Sequence, residues 1–570
     1  MTAGVRHTAR VPDTAPVPGA GAAVADPPAD AAPPAIPPAP RRALRPLLLT
    51  AGAAALVLLA LVLPGAVLTP AALLRLPVEA LVGVVLLLVL PARARRGTAT
   101  ALGALLGVVA VLAVLDLGFR SAFDRPFDPV VDTVLLADAA RFVGGTAGPA
   151  AAVAASVAAA LLAVALPVGC AFALRRLGGV VARHRRAAGR SVAALVPVWL
   201  ACALAGAQLV PGVPVATAGA TALVAGTAVG VPASLADGRA FAAELAVDPL
   251  HDVPDERLLT ALRGKDVVVA FVESYGRDAV QDPEFAAVGE VLADGDRRLG
   301  AAGYASRSGF LTAPVAGGGS WLAHATFHSG LHVDDQQRYG ALTGSERRTL
   351  PEVFGAAGWR TVAVMPGTTG AWAEGAYYGY DQVIDHAALG YRGPDLGWAS
   401  VPDQYTLSAF QRLGRGDGPV MAELALVSSH APWRFTPPVL DWAAIGDGAV
   451  YGPLAPVGDA EGVWTRGPAA VQGAYGDAVG YSLASLVSWV EEYGDDDLVL
   501  LVLGDHQPLP AVTGEGATRD VPISVVTRDG AVLDRIAGWG WEPGLRPGPA
   551  APVWPMEAFR DRFVAAFGDD

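Results

Sequence analysis

Long apolar runs dominate the first third of the chain. They lie at roughly 46–68, 72–92, 100–118, 148–173 and 191–210. Each is close to the length of about 20 residues that a helix needs to cross a bilayer. The pattern therefore predicts a polytopic α-helical membrane domain with about five spans.

A further apolar stretch at 213–231 is less typical of a membrane span. It consists mostly of Ala, Gly, Thr and Val, the surrounding segment 212–235 contains two prolines, and no basic cluster flanks it. We interpret it as an external linker. The alternative, a sixth span, would place all later residues on the cytoplasmic side.

Basic residues occur in alternate connections between the apolar runs. They cluster at 41–45, at 93–96 and at 175–190, whereas the connection 116–145 is acidic. Because positive charge marks cytoplasmic loops, the three basic clusters are expected in the cytoplasm. Five spans from a cytoplasmic start then leave everything after about 211 outside.

The pattern changes after about residue 265, where short β-rich runs alternate with helical stretches. Strands are predicted at 266–272, 361–365, 420–428, 498–503 and 521–526. Helices are predicted at 286–299, 320–331, 403–414, 469–493 and 555–567. This alternation is typical of a doubly wound α/β/α domain with a mostly parallel sheet.

We therefore expect four regions. Residues 1–42 form a disordered cytoplasmic tail, because they are rich in Pro and Ala and poor in large apolar side chains. The membrane domain covers 43–211, an extracytoplasmic linker covers 212–262, and the α/β/α domain covers 263–570. The chain is expected to be a multi-pass protein of the plasma membrane.

Composition agrees with a chain that is part membrane and part soluble domain. It is 53% hydrophobic, with a mean hydropathy of +0.41, yet its formal net charge is −13. Most of the acidic residues follow Asp237, which argues against nucleic acid as a partner. Cys170 and Cys202 both lie in apolar runs, so neither a disulfide framework nor a thiolate metal site is expected.

Polar residues follow two of the predicted strands directly. Asp505 and His506 come after the run 498–503 and Gly504, and Glu273 comes after 266–272. The carboxyl ends of parallel strands meet at one edge of a sheet, where such folds bind ligands. A carboxylate and an imidazole there can share a divalent metal ion. A surface loop for the Asp-His pair and a turn cap for Glu273 are the alternatives.

Three glycines, 317–319, lead into a helical pattern that begins at Ser320. Glycines allow backbone N–H groups to approach an anion, and a helix N-terminus favours negative charge. Ser320 is expected at the N-cap, where it is either a nucleophile or an ordinary capping serine.

Histidines add to this pattern. His324, His328 and His332 recur every four residues, a spacing more often used for packing or for a surface stripe than for zinc. Only His324, one turn from Ser320, is close enough for a supporting or substrate contact. His430 follows the predicted strand 420–428 and precedes Pro432, so a further strand end carries a candidate group.

The ordered set of motifs resembles the alkaline phosphatase/sulfatase superfamily, and within it the membrane-anchored lipoteichoic acid synthases and phosphoethanolamine transferases. The matching elements are Glu273-Ser274, the glycine turn into Ser320, His430-Ala431-Pro432 and Asp505-His506-Gln507-Pro508. The resemblance implies a sulfatase-like fold. It also implies that Glu273, Ser320, Asp505 and His506 bind one Mn²⁺, Zn²⁺ or Mg²⁺, with Ser320 as nucleophile and His430 contacting the transferred group.

The activity implied by the resemblance is that of a metal-dependent phosphotransferase or phosphodiesterase of the cell envelope. Such an enzyme transfers a phospho-alcohol group from a lipid or lipid-linked donor. A sulfatase-like ester hydrolase that uses water as acceptor is one alternative. A noncatalytic envelope scaffold is another.

The sequence departs from the family pattern in three ways. Ser320 stands where the family commonly has Thr. Trp372-Ala373-Glu374 is the nearest match to a substrate-binding Trp-x-Arg segment, so a phosphate clamp is missing. The residues after Ser320 lack the Pro and Arg of the type I sulfatase motif. Trp372 and Tyr380 are candidates for contacting a sugar or lipid head group, although aromatic packing is the alternative.

Overall fold

A computed structural model provides the fold. It describes residues 41–64, 70–394, 396, 401–433, 435–455, 463–514 and 516–569. The predicted disordered tail lies outside the described residues, except for Arg41 and Arg42, which begin the first helix.

Seven helices form the first part of the described chain. They are α1 (Arg41–Val62), α2 (Val78–Val89), α3 (Ala92–Phe123), α4 (Leu135–Ala147), α5 (Pro149–Arg183), α6 (Arg185–Ala205) and α7 (Gly219–Leu245). Five of them, namely α1, α3, α5, α6 and α7, are long and apolar enough to cross a membrane. The number of long apolar helices agrees with the prediction, but the set differs in two places.

The first difference concerns the predicted span 72–92. Only Val78–Val89 is α-helical there, which at 12 residues is about 18 Å long. Pro77 and Pro91 bracket the helix, and a 3₁₀ turn over Pro70–Leu74 precedes it. Proline removes a backbone donor, and the residue before it is biased away from helical conformation, so the apolar run is broken into shorter pieces.

The second difference concerns the predicted linker. Its residues form most of α7, a helix of 27 residues with Pro232 in its interior. Alanine is the best helix former, and a single proline does not end this helix. The segment that we interpret as an external linker is therefore helical in its local structure.

Two glycines, one helical turn apart, set the packing of α3 against α5. A Cβ atom on Gly103 would lie 2.4 Å from the carbonyl oxygen of Cys170, and one on Gly107 would lie 2.3 Å from Cα of Pro167. Small residues at this spacing allow helix backbones to approach closely. The Gly103–Gly107 pair therefore lets two long helices cross in direct backbone contact.

Contacts between helix ends define the direction in which the helices run. The short strand Leu76–Pro77, just before α2, pairs with Ala216–Thr217, just before α7. At the other end of α2, the Leu88 carbonyl accepts a hydrogen bond from Arg185 at the start of α6. Helix α6 thus runs from the α2 C-terminus back to the level of the α2 N-terminus, where α7 begins.

Helix α7 continues away from that level. The hydroxyl of Ser234, in its second half, donates to Asp128, which follows the end of α3. Asp237 then pairs with Arg338 of the second part of the chain. Helices α6 and α7 therefore run in the same direction, one after the other.

Nine strands form the sheet of the second part. They are β1 (Asp266–Val272), β2 (Ala305–Thr312), β3 (Arg360–Met365), β4 (Gln382–Asp385), β5 (Val420–Leu426), β6 (Leu498–Gly504), β7 (Asp520–Thr527), β8 (Glu542–Pro543) and β9 (Val553–Pro555). Their order is β8-β2-β7-β6-β1-β5-β3-β4, with β9 pairing with β2. All five predicted strands are confirmed, whereas β2, β4, β8 and β9 were not predicted.

The pairing makes the sheet mixed, with a parallel centre. Strands β6, β1, β5, β3 and β4 are parallel to one another. Strand β7 runs antiparallel to both β6 and β2. The mostly parallel, doubly wound arrangement is therefore confirmed for the part of the sheet that carries the candidate residues.

Helices cover both faces of this sheet. The longer ones are α8 (Ala286–Ala301), α9 (Ser320–Ser329), α10 (Pro468–Tyr493) and α11 (Ala558–Phe567). Shorter helices lie at Arg277–Gln281, Gln336–Thr343, Leu350–Ala356, His386–Leu389, Asp403–Ala409, Pro510–Thr513 and Gly530–Arg535. The five helices predicted from the sequence correspond to α8, α9, α10, α11 and the helix at Asp403–Ala409.

Alternation along β1 shows why the sheet needs helices on both faces. Val268 and Ala270 belong to one buried core, together with residues of α8 and α10. Val267 and Val269 belong to a second core, with residues of α9 and α11. Successive side chains of a strand point to opposite faces, so a continuous apolar run requires cover on both.

Candidate active site

The register of β1 and β6 brings the acidic residues of the candidate site together. Val272 and Gly504 are paired as the last residues of these parallel strands, so Glu273 and Asp505 leave the sheet side by side. Gly504 is required at this point, because a Cβ atom there would lie 1.8 Å from the carbonyl oxygen of Tyr275. Sheet geometry alone therefore places the two carboxylates at one edge.

Glu273, Asp505 and His506 form a buried cluster with the composition of a metal site. One donor atom from each lies within 4.8 Å of the others. Nε2 of His506 is 3.5 Å from Oε1 of Glu273 and 3.7 Å from Oδ2 of Asp505. Two carboxylates and an imidazole suit a divalent cation such as Zn²⁺ or Mn²⁺.

Neighbouring hydrogen bonds orient these donors. Nδ1 of His506 lies 2.8 Å from the carbonyl oxygen of Gln507, an interaction that leaves Nε2 with its lone pair toward the cluster. Oδ1 of Asp505 accepts from the backbone N–H groups of Ser274 and His506, both at 2.7 Å. The second carboxylate oxygen of Asp505 remains directed at the cluster. The residues therefore fit a divalent metal in both donor type and orientation.

Charge in the cluster supports the same fit. Burial raises the pKa of Asp505 to about 6, and the negative charge of Glu273 adds to the rise. Burial also acts to raise the pKa of Glu273, but interactions with His430 and His506 and hydrogen bonds from Ser274 and Ser320 outweigh it and lower that pKa to about 2. Two buried carboxylates that repel one another are stabilised by a cation between them.

Ser320 lies against this cluster at the start of α9. Its hydroxyl donates to Oε2 of Glu273 across 3.0 Å and lies 3.3 Å from Nε2 of His506. The N-cap of the helix is Gly319, with φ +87°, and Ser320 is the first helical residue. The prediction that Ser320 itself occupies the N-cap was wrong, because glycine adopts the left-handed conformation that this turn needs.

The glycine turn before Ser320 packs against the end of helix α3. A Cβ atom on Gly317 would lie 2.3 Å from the carbonyl oxygen of Ala122, and one on Gly318 would lie 3.3 Å from the ring of Phe123. Gly317 also has φ +76°. The first, apolar part of the chain therefore supports the turn that positions Ser320.

His430 lies near Glu273, in a turn beyond the end of β5. Its N–H donates to the Val427 carbonyl, and its Nδ1 lies 2.5 Å from the Ala431 carbonyl oxygen. The neighbouring Ser429 hydroxyl donates to the backbone carbonyl of Glu273 across 2.6 Å, which ties the two turns together. The structure thus brings His430 to the same edge as Glu273, as the sequence predicts.

His324 contacts a residue that sequence reasoning missed. Its Nδ1 lies 2.6 Å from Oε1 of Glu423, a fully buried residue in the middle of β5. His328 Nε2 is 2.9 Å from Oε2 of the same carboxylate, and the hydroxyl of Tyr380 donates to that oxygen. We name Glu423, His324, His328 and Tyr380 the Glu423 cluster. A single Glu within an apolar strand was the available signal, because a buried carboxylate needs partners.

His332 does not belong to the histidine row. Helix α9 ends at Ser329, and His332 lies instead near Asp334 and Glu557. These two carboxylates raise the pKa of His332 to about 9. The decision against a three-histidine zinc site agrees with the geometry, because the helix stops before its third member.

Trp372 and Tyr380 take different positions. The ring of Trp372 packs 5.4 Å from that of Tyr378, and Tyr378 is 6.0 Å from Tyr380. Tyr380 joins the Glu423 cluster through its hydroxyl. The aromatic segment therefore packs against the cluster, and contact with a substrate remains a prediction for both residues.

Comparisons with known proteins give matches in solved structures alone. No protein-family model matches the chain, and no curated protein matches it. It is similar to the lipoteichoic acid synthase LtaP from Listeria monocytogenes, with 14% identity, a TM-score of 0.36, and coverage of 58% of this chain and 78% of that chain.

Two further structures show likenesses of the same strength. The soluble domain of lipooligosaccharide phosphoethanolamine transferase A from Neisseria meningitidis is 14% identical at a TM-score of 0.36, over 55% of this chain and 91% of that chain. The Streptococcus pyogenes phosphoglycerol transferase GacH, in complex with sn-glycerol-1-phosphate, is 11% identical at 0.33, over 58% and 91%. These are the kinds of protein that the sequence motifs resemble, but such scores do not establish a family.

Proposed function

We propose that the protein is a metal-dependent phosphotransferase or phosphodiesterase of the cell envelope. In this proposal the hydroxyl of Ser320 accepts a phospho-alcohol group from a membrane lipid or lipid-linked donor. The observation that carries the proposal is the position of Ser320 Oγ, 3.0 Å from Glu273 and 3.3 Å from His506 at the mouth of a buried donor cluster. The order of the motifs, which resembles the alkaline phosphatase/sulfatase superfamily, points to the same chemistry.

Glu273, Asp505, His506 and Ser320 would hold one divalent ion, Mn²⁺, Zn²⁺ or Mg²⁺. When bound, such an ion lowers the pKa of a hydroxyl and neutralises charge on phosphoryl oxygens. The chain supplies the rest. Burial of the cluster excludes water, and the register of β1 and β6 fixes the two carboxylates before substrate binds.

The reaction would then proceed in two transfers. The hydrogen bond to Glu273 orients Ser320 Oγ, which attacks phosphorus as the bond to the leaving alcohol breaks. The serine proton passes to solvent, and His430 donates a proton to the departing oxygen. In the second transfer an alcohol or water gives its proton to His430 and attacks phosphorus, the bond between phosphorus and Oγ breaks, and Ser320 regains a proton from solvent.

The topology of the chain supports an extracytoplasmic position for this site. The basic clusters near α1, α3 and α6 mark the cytoplasmic side. Helices α6 and α7 run in the same direction, and a chain cannot cross one bilayer twice in succession that way. In this proposal α1, the segment of α2, α3, α5 and α6 cross the membrane, which would leave α7 and the α/β domain outside.

The test uses the full-length protein in lipid nanodiscs with Mn²⁺ and phosphatidylglycerol labelled in its head group. We expect a labelled covalent adduct that peptide mass spectrometry places on Ser320. Ser320→Ala should give no adduct, whereas Ser191→Ala, which alters an exposed serine of α6, should match the wild type. Absence of adduct and of any released or transferred head group, with phosphatidylethanolamine tried as well, would contradict the proposal.

The same experiment separates the two acceptors. A labelled product larger than the free head group indicates transfer to an alcohol. Release of the free head group alone indicates a hydrolase, which is the alternative that the sequence leaves open.

A further inference from the structure

The Glu423 cluster lies next to the candidate nucleophile but is not part of the donor cluster around Glu273. His324 is one helical turn after Ser320 on α9. Glu423 comes from β5, the strand beside β1, and is paired in register with Val269. Helix α9 thus places His324 beside Ser320, and strand β5 places the buried carboxylate of Glu423 behind His324.

The environment of His324 holds its ring in one orientation. The ring of Phe271 stacks on it, with centroids 3.9 Å apart and planes 15° from parallel. Nδ1 is occupied by Glu423 at 2.6 Å. Among the described residues no partner is recorded for Nε2 of His324, so this nitrogen is the ring atom available to another group.

The cluster is asymmetric in its burial. The side chains of Glu423 and His328 are 1% and 0% exposed, whereas that of His324 is 13% exposed. An ionised carboxylate is stable inside a protein only with close partners, and Glu423 has three of them. His324 is the partly exposed histidine of the pair, and it is also the one nearer Ser320. The partner of Glu423 that faces the candidate site is therefore His324.

We propose that Glu423 is a positioning residue that holds His324 beside Ser320, so that Nε2 of His324 donates to a non-bridging oxygen of the phosphoryl group bound there. This inference rests on the proposed function and names the group that recognises the phosphate. It also gives Tyr380 a role through Glu423 rather than through the substrate. The segment Trp372-Ala373-Glu374 lacks the arginine that would contact phosphate. In this proposal a cationic His324 makes that contact instead.

The charge on His324 is consistent with this role. Burial acts to lower the pKa of His324, but the hydrogen bond and charge of Glu423, together with the charges of Asp505 and Glu273, raise it overall. The buried His328 on the same helix faces the opposite oxygen of Glu423. The carboxylate against Nδ1 favours a ring with a proton on each nitrogen, the form in which Nε2 donates, and hydrogen bonds to charged groups are stronger than neutral ones.

The experiment measures phosphate recognition separately from turnover in the full-length protein. We expect Glu423→Gln and His324→Gln each to raise KM for phosphatidylglycerol about 10- to 100-fold, with kcat changed much less. In a Ser320→Ala background, the affinity for sn-glycerol-1-phosphate should fall by a similar factor. Metal content, measured in every variant, should remain at the wild-type level.

Tyr380→Phe provides a milder variant that removes a single hydroxyl, in case the charge changes prevent folding. We expect a smaller rise in KM in the same direction. Tyr377→Phe is the matched control, because its hydroxyl donates to the Arg347 carbonyl and not to Glu423. An unchanged KM and glycerol phosphate affinity in folded Glu423→Gln and His324→Gln would overturn the inference. Inactivity of the wild type would instead contradict the proposed function.

Discussion

The hydroxyl of Ser320 donates a hydrogen bond to Oε2 of Glu273 across 3.0 Å, although 47 residues separate them in the chain. One residue begins a helix after a glycine turn, and the other directly follows a buried strand. A serine in an ordinary capping role bonds to the backbone of its own helix, whereas the hydroxyl of Ser320 contacts Glu273 and His506. Its contact with a carboxylate of the donor cluster is the relationship on which the chemical predictions depend.

Replacement of Ser320 should test whether its hydroxyl is the nucleophile. We expect Ser320→Ala to lower turnover by at least about 10³-fold, because no other hydroxyl occupies its place. Ser320→Thr should retain activity, since threonine keeps the hydroxyl at the same branch point. Head-group release with labelled lipid measures both. Equal activity in the alanine and threonine variants would show that the side chain is not the nucleophile.

Metal binding should depend on the strand-end residues. Asp505→Asn should lower the affinity for Mn²⁺ or Zn²⁺ by at least about 100-fold, because it removes the negative charge of a direct ligand. The measurement is metal content after dialysis, together with titration calorimetry. Asp294→Asn, which alters a partly exposed carboxylate paired with Arg297, is the control. Undiminished binding in Asp505→Asn and in His506→Ala would contradict the proposed site.

The glycine turn should tolerate no side chain. Gly317→Ala would place a Cβ atom 2.3 Å from the Ala122 carbonyl oxygen at a residue with φ +76°. We expect turnover to fall by about 100-fold, because a shift of about 1 Å at a nucleophile has effects of that size. Gly300→Ala, in α8, meets no atom within 4 Å and should leave activity unchanged. Normal turnover in Gly317→Ala would show that contact with α3 does not position Ser320.

The buried carboxylate of Asp403 should make stability depend on pH. Burial raises its pKa from 3.8 to about 6, despite hydrogen bonds from Ser482 and from the backbone of Ser428. Between these values the folded protein keeps a proton that the unfolded chain loses. The free energy of unfolding should therefore fall as pH rises through this window, by roughly 3 kcal/mol in total.

Asp403→Asn should remove that loss, because the amide stays neutral while its oxygen still accepts a hydrogen bond. Thermal unfolding of the variant and the wild type at pH 4 and pH 7 gives the comparison. We expect the variant to be the more stable at pH 7 and the two to be closer at pH 4. A difference of the same size at both pH values would refute the assignment to Asp403.

Chemical labelling should report the side of the membrane on which the site lies. In a variant with Cys170 and Cys202 replaced by alanine, the substitution Asp496→Cys introduces a thiol at an exposed position of the α/β domain. A membrane-impermeant maleimide should label this thiol in intact cells. Arg186→Cys, at the start of α6, should label only after permeabilisation. The reverse pattern would place the α/β domain in the cytoplasm.

Much of the candidate site can be predicted from local sequence, because the apolar run of a strand and the polar residues after it are neighbours in the chain. Six apolar residues before Glu273 and six before Gly504 specify strands that must be covered on both faces, so the polar residues after them leave at the sheet edge. Strand β2 was not predicted, because Ser306, Arg307 and Ser308 interrupt its apolar pattern, and pairing with β7, β8 and β9 is what makes it part of the sheet.

The sequence by itself determined four of the five long apolar helices, the four central parallel strands and the polar residues at the strand ends. Tertiary structure decided which of these residues meet. Strand order places Glu423 of β5 behind His324, and the register of β1 with β6 places Glu273 beside Asp505. Helix ends and sheet pairing likewise decided that α7 follows α6 in the same direction. These contacts join residues far apart in the chain, and no local pattern contains the order in which strands and helices pack.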